Sequence, residues 1–158
     1  MGARTFESFY EAERDGLFGA LVLITGNRHE AEEIAQDAFL ALWERWDRVS
    51  LMDDPTGYLY RTAMNGFRKR RRRAALAVRR ALHIAPSDDL FAQADARQVV
   101  AHALAGISRR QRAALVLTEL LGFTSEEAGR LLGVKPVTVR VLASQGRAAM
   151  RTSMGAER

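Results

Sequence analysis

The sequence contains no cysteine, which excludes disulfides, thiolate metal sites and cysteine nucleophiles. Histidine is scarce too. His29, His83 and His102 share no ligand spacing. The stretch "HEAEE" at His29 lacks the second histidine that a metalloprotease helix needs. The expectation is therefore no metal and no cofactor. No apolar run reaches the length of a membrane span, and "LFGALVLITG" falls well short of one. The opening "MGARTFESFYEAERDG" is charged throughout, so no leader pattern is seen. A soluble, cytoplasmic protein with no membrane partner is expected. Strand alternation and internal repeats are missing as well. No nucleophile, base or phosphate-loop constellation appears, so the chain is not expected to be an enzyme and no catalytic residue is assigned.

What remains is helical. Nearly every long segment of the 158 residues has helical periodicity, and 47% are hydrophobic, enough for a core. The three prolines, Pro55, Pro86 and Pro136, each read as a boundary. At "DDPTGYL", Asp54 is a candidate N-cap with Pro55 in the first turn. The break near Pro86 divides the chain. The predicted fold is all-α: a small helical domain over residues 1–75, a linker over 76–94, and a second helical domain over 95–155 that carries a helix-turn-helix. Net charge is +5, carried mostly by arginine, which suggests a polyanionic partner.

The C-terminal stretch "GFTSEEAGRLLGVKPVTVRVLASQGRAAMR" is the most specific. Gly122 ends one helix, Thr124 caps the next, and Glu127 is placed for a capping box. Gly133 supplies a tight turn. Gly129, four residues earlier, is small enough for the helices to cross closely. Val134 and Val139 face the core, and Pro136 opens the second helix. A plain αα-hairpin shares part of this pattern. The cap, the small residue, the turn glycine, the valines and the following arginines together favour helix-turn-helix spacing. In that motif the start of the second helix enters the major groove.

In the N-terminal block, "HEAEEIAQDAFLALWERW" puts Ala31, Ile34, Ala35, Ala38, Phe39, Leu42 and Trp46 on a core face. A second stripe holds Glu30, Glu33, Asp37, Leu40 and Glu44: acidic, with one apolar residue in its middle. It reads either as a solvated face or as a docking surface for a basic helix with Leu40 as anchor. In "PTGYLYRTAMNGFRKRRRR", Leu59, Ala63 and Phe67 face inward, while Tyr58, Arg61, Asn65, Arg68 and Arg72 share another face. A ring to stack a base, an amide to read an edge and cations to follow phosphates suit single-stranded nucleic acid. The six consecutive cations Arg68 to Arg73 are then read as holding the backbone.

With both blocks in order, the chain resembles a bacterial sigma factor of the extracytoplasmic-function type. The resemblance covers about residues 5 to 75 and 95 to 153. It implies a protein that binds core RNA polymerase and directs promoter-specific initiation. It implies that Glu33, Gln36, Asp37 and Leu40 dock on the polymerase's largest subunit, and that Tyr58, Arg61, Asn65, Arg68 and Arg72 meet the minus-ten DNA as it opens. It implies that Val137, Thr138, Arg140 and Arg147 meet the minus-thirty-five duplex. Many members are held inactive by an anti-sigma factor, which makes such a partner a further candidate. The chain departs from the family pattern at Lys69, where an aspartate is usual, and at Leu142 and Gln145, where cations are usual. Fewer phosphate contacts predict weaker, less salt-dependent duplex binding. The alternative is a stand-alone helix-turn-helix regulator, for which no dimer surface or effector pocket is evident.

Overall fold

The computed structural model describes residues 4–80 and 103–155. Among them, 4–21 with 29–80 form one compact unit and 22–28 with 103–155 form another. Every regular element among the described residues is helical. None of these helices is long and apolar enough to cross a membrane.

The N-terminal helices are α1 (Phe6–Thr25), α2 (Arg28–Glu44), α3 (Trp46–Val49) and α4 (Pro55–Arg80), which belong to the first unit except for residues 22–28. Helix α1 starts at Thr5, whose Oγ1 accepts the Ser8 N–H at 3.2 Å. Its apolar stripe of Phe9, Leu17, Leu21 and Ile24 is fully buried. Helix α2 buries Ala31, Ile34, Ala35, Ala38, Phe39 and Leu42, the face its spacing predicts. The periodicity carries a single helix on to Trp46, but the helix ends two residues sooner, at Glu44. Arg45 leaves the helical region at φ −118° and ψ 19° and starts the short α3. This break lets the Trp46 ring lie 5.5 Å from Phe6 and 5.2 Å from Phe9, closing an aromatic cluster with Phe39.

Helix α4 begins as the sequence predicts. Asp54 Oδ1 accepts the Gly57 N–H at 2.9 Å, and Pro55 occupies the first turn. Leu59, Ala63 and Phe67 are buried as expected, and Tyr60 and Met64 join them. The helix continues past residue 75, the expected domain edge, to Arg80. Alanine and arginine are strong helix formers, and nothing in "RRRRAALAVRR" stops a helix. The rest of the predicted linker, with the break at Pro86, lies outside the described residues, as do His83 and His102.

In the second unit, residues 103–105 are helical, followed by α5 (Arg109–Leu115), a π-helical turn (Val116–Leu120), α6 (Ser125–Leu132) and α7 (Pro136–Gly155). Helix α7 packs on both α5 and α6. The core between them holds Ala113, Ala114, Leu117, Ala128, Leu131, Val139 and Ala143. A reciprocal capping box forms at Ser108 and Gln111. At Thr124, where a box is expected, only half forms. Thr124 Oγ1 accepts the Glu127 N–H, and the Glu127 carboxylate turns back to the Thr124 hydroxyl instead of its amide.

The turn between α6 and α7 depends on two glycines. Gly133 adopts the left-handed conformation at φ 67° and ψ 35°. A Cβ on Gly129 would stand 2.7 Å from the Val134 carbonyl oxygen. The small residue is needed because the returning backbone crosses there, and the Val134 N–H bonds Gly129 O at 2.9 Å. Val139 is fully buried, as predicted. Val134 is only half-buried, at the margin of the core its spacing assigns it to.

Candidate nucleic-acid and partner interfaces

The α2 stripe is partly engaged within its own unit. Arg70 on α4 donates from Nη1 to Glu33 Oε2 at 2.6 Å, and its Nη2 lies 3.6 Å from Asp37 Oδ2. His29 Nε2 approaches Glu33 Oε1 at 2.9 Å, one helical turn away. The Arg70 hydrogen bond and charge hold the Glu33 carboxyl below the usual carboxylate range. His29 adds to the effect, and partial desolvation opposes it. Gln36 is exposed, and Leu40 stands out of the stripe at 53% exposure. Trp43, three residues on and 58% exposed, extends the same ridge. Its spacing from Leu40 makes it readable as a second anchor, although the sequence reading missed it. Beside Gln36, a cleft of about 330 Å³ opens between α1 and α2, lined in part by Tyr10, Phe18 and Phe39.

On α4, Tyr58, Arg61, Asn65, Arg68 and Arg72 fall on a face away from the buried Leu59, Ala63 and Phe67. Tyr58 is half-buried, and its hydroxyl accepts from Arg45 Nη1 at 3.4 Å. Arg68 Nη1 donates to Asn65 Oδ1 at 3.3 Å, which fixes the plane of the amide. Arg61, Asn65 and Arg72 are exposed. The basic run therefore splits. Arg68 and Arg72 stay with the Asn65 face, while Arg70 points to α2.

In the second unit, Val137 is 54% exposed at the start of α7, and Thr138 is half-buried behind it. Arg140 is exposed, with Nη1 3.8 Å from Glu126 Oε1 of α6. Arg147 pairs with Glu119 in the π-helical turn. Both predicted DNA-contacting arginines thus face a carboxylate of their own unit. Val141, 47% exposed, shares the outward surface with Val137.

Comparison with known proteins follows the same division. A family model for sigma-70 region 2 matches residues 9–77, and one for sigma-70 region 4 matches residues 97–150. The chain belongs to the sigma-70 family, in its extracytoplasmic-function type. Among relatives of this sigma-70 chain is the ECF RNA polymerase sigma factor SigE of Mycolicibacterium smegmatis. It is 27% identical, over 93% of this chain and 60% of the relative's own length. The ECF RNA polymerase sigma factor SigM of Mycobacterium tuberculosis is 25% identical, over 95% of this chain and 77% of that one. Among solved structures, the fold matches the sigma factor RpoE of Bartonella quintana, crystallised with the anti-sigma factor NepR. The TM-score is 0.75 at 20% identity, covering 97% of this chain and 98% of that one. It also matches CnrH, solved with the cytosolic domain of CnrY, at a TM-score of 0.62 and 20% identity, covering 97% of this chain and 89% of that one.

Proposed function

We propose that this chain binds core RNA polymerase and directs it to promoters, as a cytoplasmic initiation factor with no catalytic centre of its own. The observation that carries this reading is the order of the two matched regions on one chain, region 2 followed by region 4. Leu40, flanked by Gln36 and the Glu33 and Asp37 carboxylates, is the core-polymerase anchor. An apolar side chain within a polar rim has the arrangement of a protein–protein interface. Tyr58, Arg61, Asn65, Arg68 and Arg72 take the minus-ten strand. The ring stacks an unpaired base, Asn65 reads its edge, and the arginines follow the phosphates. Stacking offsets part of the cost of unpairing, so recognition and melting become one event without a nucleotide or a metal. Val137, Thr138, Arg140 and Arg147 meet the minus-thirty-five duplex. Residues 1–75, 76–94 and 95–155 act as minus-ten module, tether and minus-thirty-five module. The solved relatives crystallised or studied with NepR and CnrY make an anti-sigma factor a reasonable further partner.

The test is transcription in vitro from fragmented genomic DNA of the source organism, using core polymerase with and without the chain. New transcript starts sharing two spaced upstream elements are expected. Binding to core without new starts would point to a sigma-like interaction module. Neither core binding nor new starts would leave a stand-alone duplex-binding protein.

A further inference from the structure

The start of α7 presents an unusual surface for a helix that meets DNA. Val137 and Val141 lie one turn apart and are 54% and 47% exposed, while Val139 and Ala143 on the other side are buried. At this end Arg140 faces Glu126, and about two turns farther along Arg147 pairs with Glu119. Between these two arginines, Leu142 and Gln145 carry no charge. The outward surface at the start of α7 therefore offers two branched apolar side chains on either side of Arg140, an arginine that faces a carboxylate. Such side chains have a stiff χ1 and lose little freedom on contact. In the major groove an apolar side chain has one apolar partner on the base edges, the 5-methyl group of thymine.

We propose that Val137 and Val141 read thymine methyl groups in the upstream duplex element, making Val141 a specificity-determining residue beside Val137. This rests on the promoter-binding reading above and deepens it. Residues one turn apart are separated by about 6 Å along the helix axis. Two methyl groups within about two base-pair steps of each other match that distance, since successive base pairs are about 3.4 Å apart. Arg140 and Lys135, both exposed beside the valines, contribute phosphate contacts that position the helix without choosing the sequence.

The test uses the full-length chain and the duplex it enriches from a random DNA pool. Each thymine in the enriched site is replaced in turn by deoxyuridine, which removes only the methyl group. One or two replacements should weaken binding by about fourfold each, the effect of losing one buried methyl. Val141→Ala and Val137→Ala should each bind the original duplex more weakly and should each become indifferent to one of those replacements. The inference is overturned if no duplex is enriched, if the site has no thymine on either strand, or if no replacement alters binding by the wild-type chain. It is also overturned if the double variant keeps the full deoxyuridine sensitivity. Core-polymerase binding is measured separately by gel filtration, so failure of the sigma reading and failure of methyl reading give different results.

Discussion

In the N-terminal unit, Arg70 crosses from α4 to Glu33 and Asp37 on α2, while Arg68 and Arg72 remain with Tyr58, Arg61 and Asn65 on the outward face. In the C-terminal unit the two arginines expected to meet DNA, Arg140 and Arg147, each face a carboxylate, and the exposed side chains beside Arg140 are Val137 and Val141. The first unit thus keeps a cationic, aromatic face next to its ion pair. The second pairs both arginines of its candidate duplex-binding helix with carboxylates. A guanidinium held by a carboxylate keeps its position but gives less net charge to a phosphate. A strand-reading surface built on charge and stacking is therefore expected in region 2, and a shape- and methyl-reading surface in region 4.

Predictions that break or sharpen this contrast can be ranked by size. Phe67→Ala removes a fully buried ring beneath the α4 face and should cost the N-terminal unit about 4 kcal/mol. Both tryptophans, Trp43 and Trp46, belong to that unit, so denaturation followed by tryptophan fluorescence reports it alone. Gly129→Ala pushes a Cβ against the Val134 carbonyl and should destabilise the helix-turn-helix by about 2 kcal/mol, read by far-UV circular dichroism. A tryptophan transition unchanged in that variant would sharpen the distinction between the units.

Leu40→Ala should weaken core-polymerase binding by about 2 kcal/mol, or about thirtyfold, measured by titration with labelled chain. Arg72→Ala should reduce the salt dependence of single-strand binding by about 0.7 of a slope unit, whereas Arg70→Ala should leave it unchanged. Equal losses from both variants would break the contrast, because Arg70 would then act as a phosphate contact like its neighbours.

The smallest effect concerns acid. The Glu33 carboxyl is held below its ordinary range, so its pairing contributes stability that is complete above the ordinary carboxylate pKa. That contribution is lost as pH falls through the depressed value. Glu33→Gln should flatten this acid limb in a urea-midpoint series against pH. A wild-type midpoint with no acid dependence removed by the variant would count against the Arg70 pairing.

Much of the fold was legible because its signals are local. The α2 core face, the Asp54 and Thr124 caps, the Gly133 turn and the tight crossing at Gly129 all depend on residues a few positions apart. Steric and hydrogen-bonding rules between such neighbours hold before any packing is known. The reading went astray where a local signal was ambiguous. Helical periodicity ran through Arg45, where the chain breaks so that Trp46 can reach the aromatic cluster. Helical spacing also groups Tyr58, Arg61, Asn65, Arg68 and Arg72 on one side of α4, away from the buried Leu59, Ala63 and Phe67, because period alone decides which side chains share a face.

By itself the sequence determined two all-α blocks, the helix-turn-helix and the polar faces of α2 and α4, because period and capping are properties of neighbouring residues. Only the tertiary structure decided which charges meet. Arg70 and Glu33 are 37 positions apart, and Arg147 and Glu119 are 28 apart. Local spacing sets Arg70 off the face of Arg68 and Arg72, but nothing in it names the carboxylates that Arg70 meets. The choice follows from the angle at which α4 lies on α2 and α7 on α5, which is set by how their buried side chains pack.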